Sequence, residues 1–150
     1  ECTCAPPQIQ KYMAKISGPL LDRIDIHIEV PAVKYKELSS KSFGEKSEDI
    51  RKRVIAARQV QLERFKDYKN VFNNGDMGSK EVRTFCKLDE QGEELLKMAM
   101  TKLGLSARAY DRILKVSRTI ADLEHAENIL PQHISEAIQY RSLDRELWKH

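Results

Sequence analysis

One stretch of this 150-residue chain reads as a β-strand, and that single stretch constrains the fold most. Ile24, Ile26, Ile28 and Val30 alternate with Asp25, His27 and Glu29, the period of two of a half-buried strand, which places His27 on the face opposite the apolar residues. Pro31 follows and cannot donate to a ladder, so it ends the segment. One strand cannot satisfy its own backbone N–H and C=O groups, and its sheet neighbours are not in this sequence. The chain is therefore expected to be mainly α, with a strand-bearing stub that belongs to something longer.

Composition supports this. Hydrophobic residues make up 41% and charged residues 33%, which suits a soluble, helix-rich protein and argues against disorder. The apolar runs are only a few residues long, too short to span a bilayer. The start, Glu1-Cys2-Thr3-Cys4-Ala5-Pro6-Pro7, has no basic n-region or apolar h-region and no initiator methionine. The net charge of +3 permits contact with nucleic acid but does not argue for it. Three cysteines do not make a disulfide framework, and a reducing, cytoplasmic compartment is the default.

Four regions are expected. Residues 1–35 hold a short helix over Gln8 to Ile16, a turn at Gly18-Pro19 and the strand. Residues 36–47 are polar and rich in Ser, Gly and Lys, a hinge or linker between that stub and a helical domain over 48–150. A long helix runs from Ser47, a possible cap, to about Tyr68, with Glu48 and Asp49 favoured in its first turn and Ile50, Val54, Ile55, Leu62 and Phe65 as its buried stripe. Asn73 to Asp76 is a turn, and the stretch through Cys86 has no clear period.

Three further helices make a bundle of about four. One spans Asp89 to Leu103, burying Leu95, Leu96, Ala99 and Leu103 and stopped by Gly104. One spans Ser106 to about Glu124, burying Tyr110, Ile113, Leu114, Ile120 and Ala121. One begins at Pro131 and buries Ile134, Ala137 and Ile138. Ser142 to His150 allow a last short turn.

Two arginines stand out chemically. Arg23 lies in Gly18-Pro19-Leu20-Leu21-Asp22-Arg23-Ile24-Asp25, immediately before the strand pattern. It either makes a surface ion pair with Asp22 or Asp25, or aims its planar donors at a phosphate outside the subunit. Arg108 lies in the first turn of the helix after Leu105-Ser106-Ala107. With Arg112 and Lys115 it either forms an ordinary solvated basic stripe or serves as a nucleotide contact.

Cys2 and Cys4 form a Cys-x-Cys pair, short of the four ligands a zinc site needs, and Cys86 is too isolated to complete it and reads as a buried thiol. The histidines share no ligand spacing. Arg51, Lys52, Arg53, Arg58, Arg64 and Lys66 alternate with Glu48, Asp49, Glu63 and Asp67, the pattern of a solvated face with i,i+4 pairs. There is no G-x-x-x-x-G-K-[ST]: Gly75 to Lys80 has the letters without the spacing. The run Phe85 to Glu90 is broken by Lys87, so it is not a strand ending in a magnesium-binding acidic pair.

The segments Gln8-Ile9, Lys15 to Val30, Lys87-Leu88-Asp89, Leu103 to Val116 and Glu136 to Arg141 resemble the C-terminal domain of magnesium-chelatase-like AAA+ ATPases of the ComM (YifB) family, over nearly the whole chain. The Pro6-Pro7 pair and the loop around Asn128-Ile129 depart from the pattern, away from both arginines. The resemblance implies a helical AAA+ lid preceded by a helix-strand stub of the AAA+ core. It implies that Arg23 is an arginine finger acting in trans and that Arg108 is the sensor-2 arginine. It also implies ATP and Mg²⁺ as ligands of a longer parent, whose phosphate loop lies upstream, so this segment alone would be inactive. Cys2 and Cys4 would be half of a possible zinc cluster. The implied activity is a bacterial, cytoplasmic, homohexameric helicase that drives branch migration on branched or single-stranded DNA in transformation and recombination. A chelatase-type motor subunit, with a porphyrin-binding protein partner, and a non-enzymatic helical interaction module are the alternatives.

Overall fold

The computed structural model describes residues 3–33 and 44–141. Cys2, the greater part of the expected hinge and the expected turn after Ser142 lie outside them. The described residues are helical: α1 (Pro6–Met13), α2 (Gly18–Leu21), α3 (Ser47–Phe65), a 3₁₀ turn (Asn74–Asp76), α4 (Ser79–Phe85), α5 (Glu90–Leu103), α6 (Ala107–Leu123) and α7 (Pro131–Gln139).

Local chemistry sets most of these boundaries. The Asp89 side chain accepts from the Gly92 N–H at 2.7 Å and caps α5. That helix stops at Gly104, whose φ of 61° lies in the left-handed region that glycine enters without a Cβ penalty. The Ser106 hydroxyl accepts from the Ala109 N–H at 3.1 Å and caps α6. Pro131 opens α7. The stretch through Cys86, which shows no clear period in the sequence, contains α4, a helix too short for one to appear.

Helix α6 is the centre of the bundle. It packs against α3, α4, α7 and the 3₁₀ turn, while α5 packs against α7. The core is built from Phe65, Val82, Leu96, Ile113, Leu114, Ile134 and Ala137, with Phe65, Tyr68 and Phe85 edge to face at centroid separations of 5.4 to 6.1 Å. Cys86 is buried in it, as the sequence suggests.

Several expectations are corrected. No strand forms among the described residues, and Ile24 to Val30 run as irregular chain. A strand requires a ladder, and among the described residues the segment shows none; it meets the bundle through His27 N–H to the Tyr140 carbonyl at 2.7 Å. The alternation is inverted as well. His27 is buried, with Nε2 3.2 Å from the Leu21 carbonyl oxygen, while Ile24, Ile26, Ile28 and Val30 are exposed because no sheet covers them.

Gly18-Pro19 opens a one-turn helix, not a bare turn. Lys46, not Ser47, occupies the cap position of α3, and no side chain caps it. The stripe of α3 is buried only at its C-terminal end, through Ala57, Gln61 and Phe65. Ile50, Val54, Ile55 and Leu62 are exposed. Tyr110, expected inward, is also exposed, while its neighbour Ala109 takes the buried position.

Candidate functional site

Helix α2 is the platform for Arg23. Pro19 sets φ at the start of the turn, Leu21 buries beneath it, and the chain keeps turning through Ile24, whose N–H reaches the Leu21 carbonyl at 3.0 Å. Arg23 is exposed on this knuckle. Its Nη1 donates to the Pro19 carbonyl at 2.8 Å, which holds the stem back along its own turn.

The two acids near Arg23, Asp22 and Asp25, are taken by α6. Asp22 accepts from the Ser106 hydroxyl at 2.6 Å and from Arg108 Nη1 at 2.8 Å. Arg141 Nη2 stands 3.8 Å from the same carboxylate. Asp25 is ion-paired with Arg112 at 2.5 Å. Arg108 and Arg112 are four residues apart and share one face of α6. The two pairs therefore make a two-rung clasp between α6 and the turn that carries Arg23. Burial alone would raise the Asp22 pKa; the Ser106 and Arg108 hydrogen bonds and the Arg108 and Arg141 charges outweigh it and hold the carboxyl below its ordinary value.

Arg141 is buried and also donates to the Ile24 carbonyl, fixing the far side of the same turn against the end of α7. The arrangement can hold an oxyanion: a hydroxyl, a guanidinium and a helix N-terminus converge, and a carboxylate is seated there.

A second charged cluster lies deeper and ties the helices of the bundle together. Asp122 receives both ends of Arg64, at 2.7 and 2.5 Å, the Asn74 amide at 2.8 Å and Arg118 Nε at 3.1 Å. Arg118 extends to the carbonyls of Ala126 and Glu127 at 2.7 and 2.9 Å, and so pins the loop that leads to α7. Arg64 thus leaves the solvated face expected for it. The exposed pairs Lys52–Glu48 at 3.0 Å and Lys66–Glu63 at 2.5 Å do form on that face.

The structure brings Arg23 and Arg108 to neighbouring positions, with Asp22 adjoining the first and bound to the second. Neither acid beside Arg23 is its partner. The roles of Asp22, Ser106 and Arg112 in the clasp are not visible in the sequence, because their partners lie more than eighty residues away. Cys4 is an exposed free cysteine, and the described residues contain no group of three or more side chains able to hold a metal. No described helix is long and apolar enough to cross a membrane.

Residues 44–141 match the family described as magnesium chelatase, subunit ChlI C-terminal, and residues 1–38 match magnesium chelatase, subunit ChlI. The chain is 43% identical over 97% of its length to the competence protein ComM of Haemophilus influenzae. It is 41% identical over 96% of its length to the uncharacterized protein YifB of Escherichia coli. The uncharacterized protein Rv2897c of Mycobacterium tuberculosis is 27% identical over 94% of the chain. The chain spans 28% of the length of each of these relatives. It belongs to the magnesium-chelatase-like AAA+ ATPases of the ComM (YifB) family and carries that family's C-terminal domain.

Proposed function

We propose that this chain is the C-terminal part of a cytoplasmic, homohexameric AAA+ ATPase that couples ATP hydrolysis to movement on branched or single-stranded DNA, in the manner of a competence-related helicase. Arg23 is its arginine finger, acting on the nucleotide of a neighbouring subunit, and Arg108 is its sensor-2 arginine. The observation that carries the reading is the state of Arg23. It is exposed on a hydrogen-bonded turn, and Asp22 and Asp25 are engaged by Arg108 and Arg112. An arginine presented in this way can reach a phosphate on another subunit, where its planar donors stabilise charge that develops during phosphoryl transfer. The similarity to a competence protein supports the DNA-motor form.

When bound, ATP would supply the reactive phosphate and Mg²⁺ would neutralise its charge. The residues of this chain that would meet them are Arg23 from one subunit and Arg108 from the lid. No phosphate-binding loop is encoded in these 150 residues, so hydrolysis requires sequence beyond them.

The test is ATP hydrolysis by the full-length protein, with and without forked or three-way DNA. Stimulation by branched DNA is expected, with nucleotide binding nearly intact and hydrolysis abolished in Arg23→Ala. Full hydrolysis in that variant would sink the finger assignment. Hydrolysis indifferent to DNA would move the reading to a chelatase-type motor with a protein partner.

A further inference from the structure

Asp22 is the most heavily contacted acid on the face that carries the two arginines. Its carboxylate accepts from the Ser106 hydroxyl at 2.6 Å and from Arg108 at 2.8 Å, and it lies against the first turn of α6. This is the donor set that binds a phosphate oxygen: a hydroxyl, a guanidinium and the positive end of a helix. A same-chain carboxylate held there has the charge and hydrogen-bonding character of a phosphate oxygen. It also belongs to the residue immediately before Arg23.

We propose that Asp22 is an internal competitor for Arg108, which it holds in the absence of nucleotide and releases when a nucleoside triphosphate takes its place. The inference rests on the reading of Arg108 as a nucleotide contact. Arg108 cannot give its donors fully to Asp22 and to a phosphate at once. Binding therefore breaks one rung of the clasp, and the ion pair of Asp25 with Arg112 is the rung that remains. One contact thus links Arg108, read as a nucleotide contact, to the turn that presents the finger. Asp22 is a positioning residue, and its cost is part of the apparent affinity for nucleotide.

The experiment measures equilibrium binding of a non-hydrolysable ATP analogue with Mg²⁺ to the full-length protein. Asp22→Asn is expected to tighten binding by up to about fivefold, the range of a partly exposed ion pair. Asp22→Glu, which restores the carboxylate, is expected to return the affinity toward wild type. In an Arg108→Ala background the Asn substitution is expected to change nothing. Unchanged or weaker binding by Asp22→Asn overturns the proposal, and so does tightening that survives loss of Arg108.

Should Asp22→Asn melt early, Asp22→Ser removes the same charge and leaves a hydroxyl that can still pair with Ser106. It is expected to tighten binding in the same way, and failure to do so overturns the proposal. Wild-type protein that binds no nucleotide overturns the motor reading and this inference together. Wild type that binds and hydrolyses while both variants are unchanged overturns this inference alone.

Discussion

Arg64 and Asp122 are 58 residues apart in sequence and meet as a two-pronged pair, with the guanidinium nitrogens 2.7 and 2.5 Å from the two carboxylate oxygens. The Asp122 side chain is fully buried, and Arg118 binds the same carboxylate from α6. With Asn74 bound as well, this one carboxylate ties α3, the 3₁₀ turn and α6 together, and through Arg118 it holds the loop to α7. The clasp at Asp22 therefore rests on a bundle whose helices are held in register from within.

Removing Asp122 leaves Arg118 buried without its countercharge. Asp122→Ala is expected to destabilise the chain by about 3 kcal/mol, the cost of breaking a buried pair from one side. Urea unfolding followed by circular dichroism measures it. A loss below about 1 kcal/mol would show that the cluster is not held as tightly as its geometry implies.

The same carboxylate sets an acid limit. Burial alone would raise its pKa, but the hydrogen bonds of Arg64 and Asn74 and the charges of Arg64 and Arg118 outweigh that and lower it. A carboxyl lowered on folding contributes stability that is full above its unfolded pKa of about 3.9 and is lost as pH falls through the folded value. Asp22 is shifted in the same direction. The melting temperature should stay level from neutral pH to about 5 and fall below about pH 4, and Asp122→Asn should flatten that fall. An acid transition unchanged in the variant would assign it to other carboxylates.

Two glycines are placed for different reasons. Gly104 ends α5 at a φ of 61° with open space around it, so an added methyl group meets only backbone strain. Gly104→Ala should cost about 1 kcal/mol. At Gly92 a Cβ would lie 2.8 Å from Ile134 Cδ1, where α5 approaches α7. Gly92→Ala should destabilise despite alanine's better helix propensity. Thermal melts of the two variants test both, and a stabilised Gly92→Ala would mean that Ile134 can move aside.

Cys86 is 4% exposed, and burial pushes its thiol pKa up to about 12. The thiolate is the reactive form, so alkylation near pH 8 should modify exposed Cys4 while Cys86 reacts only in denaturant. Peptide mapping after iodoacetamide would show this. Rapid native labelling of Cys86 would place it outside the core.

Much of the bundle was legible in the sequence. The helix starts at about Asp89 and Ser106, the stop at Gly104, the start at Pro131 and the inward Ile113, Leu114, Ile134 and Ala137 all depend on residues within a turn or two of one another. Arg23 and Arg108 were also legible as the residues to question, because each sits in a distinctive run. What these short-range rules missed had its cause elsewhere in the chain. Helix α4 is too short to show a period, and the apolar end of α3 follows helical spacing but has no described helix to cover it.

The sequence by itself determined where helices begin and end, and the family to which the chain belongs. Tertiary structure alone decided that Ile24 to Val30 would not be a strand, that His27 would be buried in place of the isoleucines, and that Asp22 and Asp25 would serve Arg108 and Arg112 while Arg23 faces outward. The physical reason is the range of the interactions. Capping and helical periodicity act within about four residues, whereas a β-ladder, a burial partner or an ion pair depends on which distant segment arrives there.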